Sequence, residues 1–401
     1  MHLKPVQQAQ QQADQQLQHR SSMARISHRV TASVRHAGQP RYNRGVAALH
    51  MTPEGSRRFA GRFAEALDNG FYRLAQGCLL SSIGIGTYLG EPTEEDDARY
   101  TAAVEAAVRN GVNVIDTAIN YRHQRSERSA GAALRSLFEQ GAAARDELLV
   151  CTKAGFLTPG ALPEGILDSP DVAGRMHCMA PAYLEDQIAR SLSNLGLETI
   201  DVFYLHNPET QLRFVPRAVF EDRLRAAFTL LERLCREGRI SFYGIATWDG
   251  LRLRQDSGLR LSLPRIAEIA REAAGEDCHF RFVQLPFNLA MPEAFTRAHQ
   301  GEPPNHATLL ELAARLGVTV IASAPLLQAR LASSLPGRVR EAFPECWTDA
   351  QRALQFARSA PGITTALAGM SSLEHVEENL ALSTVPPAPL ERWLSLFEME
   401  A

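Results

Sequence analysis

Short apolar runs alternate with longer amphipathic stretches along residues 82–369, and this alternation limits the possible folds more than any other feature. Eight runs have the length and composition of strands: Ser82–Thr87, Asn113–Asp116, Leu148–Lys153, Ile200–His206, Ser241–Ala246, Phe280–Leu285, Val318–Ala322 and Thr364–Gly369. Stretches of helical periodicity lie between them. Eight strand–helix repeats predict an α/β fold, a closed (β/α)8 TIM barrel.

Three of the intervening stretches carry the helical pattern clearly: Thr93–Asn110, Ala180–Leu195 and Val219–Gly238. In the last of these, apolar residues from Phe220 to Leu234 recur three or four positions apart, and Gly238 follows as a stop signal. A doubly wound open sheet is the alternative fold. That fold usually carries G-x-G-x-x-G before a helix, whereas Gly84-Ile85-Gly86 is followed by a Pro-containing loop, so the barrel is favoured.

The N-terminal residues differ in composition from this repeating body. Residues 1–20 contain eight glutamines and few large apolar residues, so we predict a disordered N-terminal extension over residues 1–50. A lead-in over residues 51–77 and the barrel over residues 78–401 follow. The extension is interpreted as an inert leader with Met51 or Met23 as the functional start, or alternatively as a partner-binding arm or Arg-rich transit-like leader.

Composition excludes several classes of protein. Of the 401 residues 45% are hydrophobic, and the net charge of −3 gives no basic field, so no nucleic-acid partner is expected. No apolar segment is long enough to span a membrane, and the N-terminus lacks the apolar core of a secretory signal. Six scattered cysteines without C-x-x-C predict neither a zinc cluster nor a disulfide framework, and favour a reducing, cytoplasmic location.

Polar residues stand at the ends of several predicted strands. Asp116, Lys153, His206 and Gln284 end the second, third, fourth and sixth runs, and Tyr121 follows five residues after Asp116. Each has an ordinary structural explanation, such as a turn cap for the aspartate or a solvent-seeking lysine. Because the active site of a (β/α)8 barrel lies at the carboxyl ends of its strands, their occurrence on one rim predicts a catalytic site.

These residue types suit proton donation by a phenol. Tyrosine has a pKa near 10, and a neighbouring ammonium stabilises its phenolate. Lys153 supplies that ammonium, Asp116 holds it charged, and a neutral His206 can hydrogen-bond a substrate carbonyl beside Tyr121. No H-x-H or paired carboxylates occur at neighbouring strand ends, so no metal is expected.

In order along the chain, these elements resemble the aldo-keto reductase superfamily. Asp116–Tyr121 is similar to its D-T-A-x-x-Y element, Cys151–Lys153 to its lysine strand and Asp201–Pro208 to its D-x-x-x-x-H-x-P element. The resemblance implies hydride transfer from NADP, with NAD possible, to a carbonyl carbon. It implies that Tyr121 is the general acid, that Lys153 and Asp116 tune it, and that His206 orients the carbonyl.

The resemblance also implies a set of cofactor-binding residues. Gln284 would hold the nicotinamide carboxamide, and loops after the seventh and eighth strands would take the phosphates. The full set is Gly86, Thr87, Gln284, Ser323, Pro325, Leu326, Gly369, Ser371, Ser372, His375, Glu378 and Asn379. Four departures from the family pattern fall in this half: Ala246-Thr247 replace Ser-Asn, Ser323 replaces tyrosine, Gly369-Met370 replace Lys-Ser, and His375 replaces an arginine. The last weakens the case for strict NADP preference.

Five residues are expected to line the substrate site: Tyr88, Arg122, His123, Phe156 and Trp248. Arg122 or His123 would favour an anionic or polar carbonyl compound, and the alternative is a solvated loop in which Ser126 caps the next helix. The long segment 155–180 is interpreted as a lid carrying Phe156 and Met176, or as a surface excursion.

The predicted function is that of an NAD(P)H-dependent oxidoreductase acting on a small-molecule aldehyde or ketone. Two alternatives stay open. One is a regulatory or sensor protein that binds the cofactor and turns over slowly. The other is a redox-neutral enzyme on the same scaffold. The sequence leaves the substrate and the oligomeric state open.

Overall fold

The computed structural model describes residues 49–301 and 306–398. The predicted extension over residues 1–50 lies outside this range except for its last two residues. A short antiparallel hairpin of β1 (Tyr72–Ala75) and β2 (Cys78–Ser81) precedes the barrel. The boundary expected after residue 77 therefore falls in the turn of one hairpin, which joins the lead-in to the barrel.

Eight parallel strands close into a barrel in the order β10-β3-β4-β5-β6-β7-β8-β9. The strands are β3 (Ile83–Gly86), β4 (Val114–Asp116), β5 (Leu149–Ala154), β6 (Ile200–His206), β7 (Ile240–Ala246), β8 (Phe280–Pro286), β9 (Thr319–Ser323) and β10 (Ile363–Gly369). The predicted closed α/β barrel is confirmed, and each predicted strand end lies within one residue of the observed end. The open doubly wound alternative is excluded by the pairing of β10 with β3.

Helices surround the barrel. They are α1 (Pro53–Gly61), α2 (Ala64–Asp68), α3 (Glu94–Arg109), α4 (Arg125–Glu139), α5 (Pro181–Leu195), α6 (Arg217–Arg236), α7 (Leu263–Ala274), α8 (Glu293–Thr296), α9 (Leu309–Arg315), α10 (Gly337–Ala342), α11 (Asp349–Ser359), α12 (Leu373–Leu380) and α13 (Leu390–Leu394). The apolar stripe predicted for α6 is buried, with Leu224 and Phe228 inaccessible to solvent. None of the helices in the described ranges is long and apolar enough to cross a membrane.

The strand register determines which side chains share the carboxyl-terminal rim. Asp116 on β4 is level with Gly86 on β3 and Cys151 on β5, and His206 on β6 is level with Ala246 on β7. Ala246 in turn is level with Gln284 on β8. Polar residues that are far apart in sequence therefore meet at one end of the barrel.

The opposite end of the barrel is closed by the segment before α1. Met51 is 3% exposed and packs with barrel-interior residues that include Val114 and Leu149. Its backbone N–H donates a hydrogen bond of 2.6 Å to Asp201 Oδ1, close to the start of β6. The same carboxylate accepts from the backbone of Val150 and the guanidinium of Arg145, which fixes this plug at the base of the barrel.

Candidate active site

A buried ion pair lies beneath the rim. Lys153 on β5 is inaccessible to solvent, and its Nζ donates to Asp116 Oδ2 at 2.6 Å and to the backbone oxygen of Thr117 at 2.7 Å. The same Nζ lies 4.9 Å from the ring centroid of Tyr121 in the loop after β4. The ammonium therefore links the carboxylate to the phenol, as expected from the strand-end pattern.

Burial and charge set the protonation of this group. Burial lowers the pKa of Lys153, but Asp116 and Tyr121 outweigh this effect and raise it, so the amine is charged at neutral pH. Burial raises the pKa of the Tyr121 phenol more than Lys153 lowers it. Burial also raises the pKa of Asp116, and the ion pair with Lys153 opposes that rise. A protonated phenol beside a fixed ammonium can act as a proton donor.

His206 completes the group at the end of β6. Burial, with smaller contributions from Lys153 and His177, lowers its pKa well below 6.5, so the imidazole is neutral. Its Nδ1 lies 3.1 Å from Oδ1 of Asn120. Its ring packs edge-on against Tyr121 and Phe156, with centroid distances of 5.7 and 5.2 Å. A neutral imidazole held this way can hydrogen-bond a carbonyl oxygen next to the phenol.

A second, fully buried histidine supports His206 from behind. His177 Nε2 lies 2.8 Å from the backbone oxygen of His206, and its Nδ1 lies 3.0 Å from Nε2 of Gln211. Because the Gln211 amide nitrogen can only donate, Nδ1 accepts and Nε2 carries the proton. Burial lowers the pKa of His177 to about 4, which matches a neutral ring. His177 thereby ties the segment 155–180 to the end of β6.

The rim opens into a cavity of about 590 Å³. Most of the predicted site residues line it: Gly86, Thr87, Tyr88, Asp116, Tyr121, Phe156, His206, Trp248, Gln284, Ser323, Pro325, Leu326, Gly369, Ser371, His375, Glu378 and Asn379. Lys153 lies beneath this surface. The residues expected to bind cofactor and those expected to perform chemistry therefore share one cavity.

Besides Lys153, three predicted site residues do not line the cavity. The expectation that Arg122 lines the substrate site is corrected: its guanidinium donates to Asp97 at 2.8 Å and stacks on Tyr100, because α3 presents a carboxylate and an aromatic ring to it. His123 is exposed and lies outside the cavity lining. Ser372 instead caps α12, accepting from the His375 backbone N–H.

The alternative interpretation, a solvated loop after Tyr121 in which Ser126 caps the next helix, is corrected as well. Ser126 does not cap α4; its hydroxyl donates to the Thr87 backbone oxygen at 2.9 Å, and the N-cap position belongs to Gln124 in a left-handed conformation. In the segment 155–180, Phe156 faces the cavity, whereas Met176 is 46% exposed and outside its lining.

The predicted site omits several cavity residues that follow the strand ends, and Thr247 is named there only as a departure from the family pattern. Asn120 and Asn207 line the cavity, as does Thr247. Glu209 organises the last of these: its Oε1 accepts from the Thr247 hydroxyl at 2.6 Å and from the backbone N–H of Trp248 at 2.9 Å. The available signal was the position of Asn207 and Thr247 directly after β6 and β7, and of Asn120 four residues after the end of β4. Among the described residues no group of His, Cys, Asp and Glu could hold a metal ion.

Comparison with known proteins identifies the class. A sequence profile of the Aldo/keto reductase family matches residues 82–336. The chain belongs to this family. Solved structures agree on the fold: an aldo/keto reductase from Klebsiella pneumoniae in complex with NADP and acetate has a TM-score of 0.55 and 22% identity over 81% of this chain and 93% of that one. A holo aldo-keto reductase from Bacillus halodurans has a TM-score of 0.57 and 20% identity, over 81% and 95% of the two chains.

Curated relatives carry different activities. L-galactose dehydrogenase of Arabidopsis thaliana is 27% identical over 77% of this chain and 86% of its own length. D-threo-aldose 1-dehydrogenase of Pseudomonas sp is 32% identical over 43% of this chain, and NADH-specific methylglyoxal reductase of Escherichia coli (strain K12) is 28% identical over 44%. The matches to these last two span about half of their lengths, 52% and 51%.

Proposed function

We propose that this chain is an NAD(P)H-dependent oxidoreductase that reduces an aldehyde or ketone to an alcohol. The observation that carries the proposal is the Tyr121 phenol, with Lys153 Nζ 4.9 Å from its ring centroid and the neutral His206 beside it, at one end of a large cavity. The names of the relatives, which are dehydrogenases and reductases of small carbonyl or hydroxyl compounds, support a substrate of that size.

The described residues fit a nicotinamide dinucleotide. The cavity volume of about 590 Å³ lies in the range typical of ligand sites. Asn379 lines it and is 2% exposed, and its Oδ1 has no hydrogen-bond partner among the described residues, so an acceptor is available there to an adenine amino group. Gln284 and the loops after β9 and β10 would hold the rest of the cofactor, which we take to be NADP or NAD.

The bound dinucleotide would supply a hydride, and the residues of the chain would manage the proton. Tyr121 would protonate the carbonyl oxygen, and Lys153 would stabilise the phenolate left behind. Asp116 would keep the amine charged. The neutral imidazole of His206 would hydrogen-bond the carbonyl oxygen and hold it toward the phenol.

The six free cysteines support a reducing compartment such as the cytoplasm.

The variant Tyr121→Phe tests this assignment. It removes the proton donor and retains the ring, so carbonyl reduction should fall about 10²- to 10⁴-fold while binding of NADPH, measured by fluorescence titration, stays close to wild type. Tyr88→Phe is the matched control, because its ring lies 5.0 Å from that of Tyr121 in the same cavity. We expect it to change KM by a few-fold at most. Unchanged reduction by Tyr121→Phe would contradict the proposal, and coenzyme binding without turnover of any carbonyl would favour the sensor alternative.

A further inference from the structure

No lysine or arginine lies among the described residues that line the cavity. We propose that the 2′-phosphate of a nicotinamide dinucleotide therefore adds at most about tenfold to affinity in this site, so that the protein uses NADH and NADPH alike. This inference rests on the proposed function and concerns only how the chain discriminates between the two coenzymes.

A phosphate monoester carries a charge of about −1.5 to −2 at neutral pH. Proteins that select for it usually supply a guanidinium, whose parallel N–H groups match two phosphate oxygens. The titratable side chains of this cavity are Tyr88, Asp116, Tyr121, His206, His375 and Glu378. Asp116 and His206 belong to the proposed catalytic group, so His375 is the basic side chain of α12 that remains in the cavity lining.

The negative charge of α12 disfavours binding of the additional 2′-phosphate. Glu378 lines the cavity and Glu377 precedes it on the same helix. At the start of the helix Glu374 hydrogen-bonds its own backbone N–H and the Ser372 hydroxyl, which lowers the pKa of its carboxyl. The positive end of the helix thus already holds a carboxylate of the chain itself.

His375 is a weak substitute for a cation. It lines the cavity, but an imidazole can present only one N–H to a ligand and lacks the fork of a guanidinium. Two arginines lie near this part of the cavity without lining it. Arg99 on α3 is close enough to contribute to the lowered pKa of the Glu374 carboxyl, but its guanidinium pairs with Asp96 at 3.4 Å. Arg330 is exposed, although Ala329 and Ala332 on either side of it line the cavity.

Direct binding tests the proposal without relying on turnover. The purified protein is titrated with NADH and NADPH by fluorescence, and with 5′-AMP and adenosine 2′,5′-bisphosphate as displacing probes that differ only in the 2′-phosphate. We expect NADPH to bind no more than about tenfold tighter than NADH, and adenosine 2′,5′-bisphosphate no more than about tenfold tighter than 5′-AMP. A larger advantage for NADPH and the bisphosphate would overturn the inference. Failure of all four to bind would instead overturn the proposed function on which it rests.

A matched pair of variants locates the effect. His375→Arg introduces the missing fork and should raise the ratio of the NADH Kd to the NADPH Kd by tenfold or more. Thr229→Arg adds the same charge on the exposed face of α6 and should leave the ratio unchanged. An equal change in both variants, or no change in His375→Arg, would contradict the assignment of this end of the cavity to the 2′-phosphate.

Discussion

Gln284 donates a hydrogen bond of 2.8 Å from its side-chain amide to Oδ1 of Asp116, whose other oxygen accepts from Lys153. One carboxylate thus connects β8 across the barrel to β5. The residue expected to hold the nicotinamide carboxamide is, in this structure, also a hydrogen-bond partner of the buried ion pair between Asp116 and Lys153. Its removal should therefore affect both the stability of the fold and the site.

Replacing Gln284 with alanine should destabilise the protein by about 1–3 kcal/mol, because Asp116 Oδ1 is buried and would lose its donor. Urea denaturation measures the change in the free energy of unfolding. Gln328→Ala is the matched control, since Gln328 lines the same cavity but is exposed. Equal effects of the two substitutions would show that the hydrogen bond to Asp116 is not the source of the loss.

Replacing Lys153 with methionine should cost about 3–5 kcal/mol, because it leaves the Asp116 carboxylate buried without its ion-pair partner. The double variant Lys153→Met with Asp116→Asn removes both charges and should recover part of that loss. Denaturant unfolding of both single variants and the double variant gives the coupling energy. A double variant as unstable as the sum of the singles would contradict a direct interaction.

Acid should destabilise the fold through His177. The unfolded chain protonates this histidine near pH 6.5, whereas burial holds its folded-state pKa at about 4. Between those values the unfolded state binds more protons, so the free energy of unfolding falls as pH falls from about 6.5 to about 4, by on the order of 3 kcal/mol. His206 adds to the same trend.

The pH dependence of urea unfolding tests this expectation through its slope. His177→Gln should flatten the slope between pH 6.5 and 4. His123→Gln, at an exposed position, should leave it as in the wild type. Parallel slopes for wild type and His177→Gln would show that the acid sensitivity arises elsewhere.

The substrate should be uncharged and carry a flat apolar group. Tyr88, Phe156 and Trp248 line the cavity, and Arg122, the cation expected nearby, is paired with Asp97. Benzaldehyde should therefore be reduced with at least about tenfold higher kcat/KM than 4-carboxybenzaldehyde, which adds only a negative charge. Trp248→Ala should lower kcat/KM for benzaldehyde, whereas Trp347→Ala, at an 88% exposed position outside the lining, should not. A preference for the carboxylated substrate would contradict this view of the cavity.

Much of the fold could be predicted because the strands obey a simple physical rule. Buried parallel strands are short continuous apolar runs, and Ile200–His206 was predicted with its observed ends for that reason. The hairpin of β1 and β2 was missed because Tyr72–Ala75 is four residues long and of mixed polarity, and its existence depends on pairing with Cys78–Ser81.

The site residues likewise fall into those that the sequence predicts and those whose positions depend on contacts with other elements. Asp116, Lys153 and His206 were predictable because they lie at the carboxyl ends of barrel strands, and these ends meet at one rim. Arg122 was not, because the direction of a long side chain in a loop depends on partners from another element, here Asp97 and Tyr100 on α3. Likewise, the contact of Asn120 with His206 depends on the course of the loop between β4 and α4.

Met51 plugs the barrel at the end remote from Tyr121, with its backbone bound to Asp201. The described part of the chain thus begins at the end of the barrel opposite the mouth of the cavity. A protein attached to a bead or an electrode at a residue close to Met51 would present the mouth of the cavity to the bulk liquid. Immobilised preparations made this way should keep free access for small reactants, and coupling at the carboxyl-terminal rim would be the orientation that obstructs them.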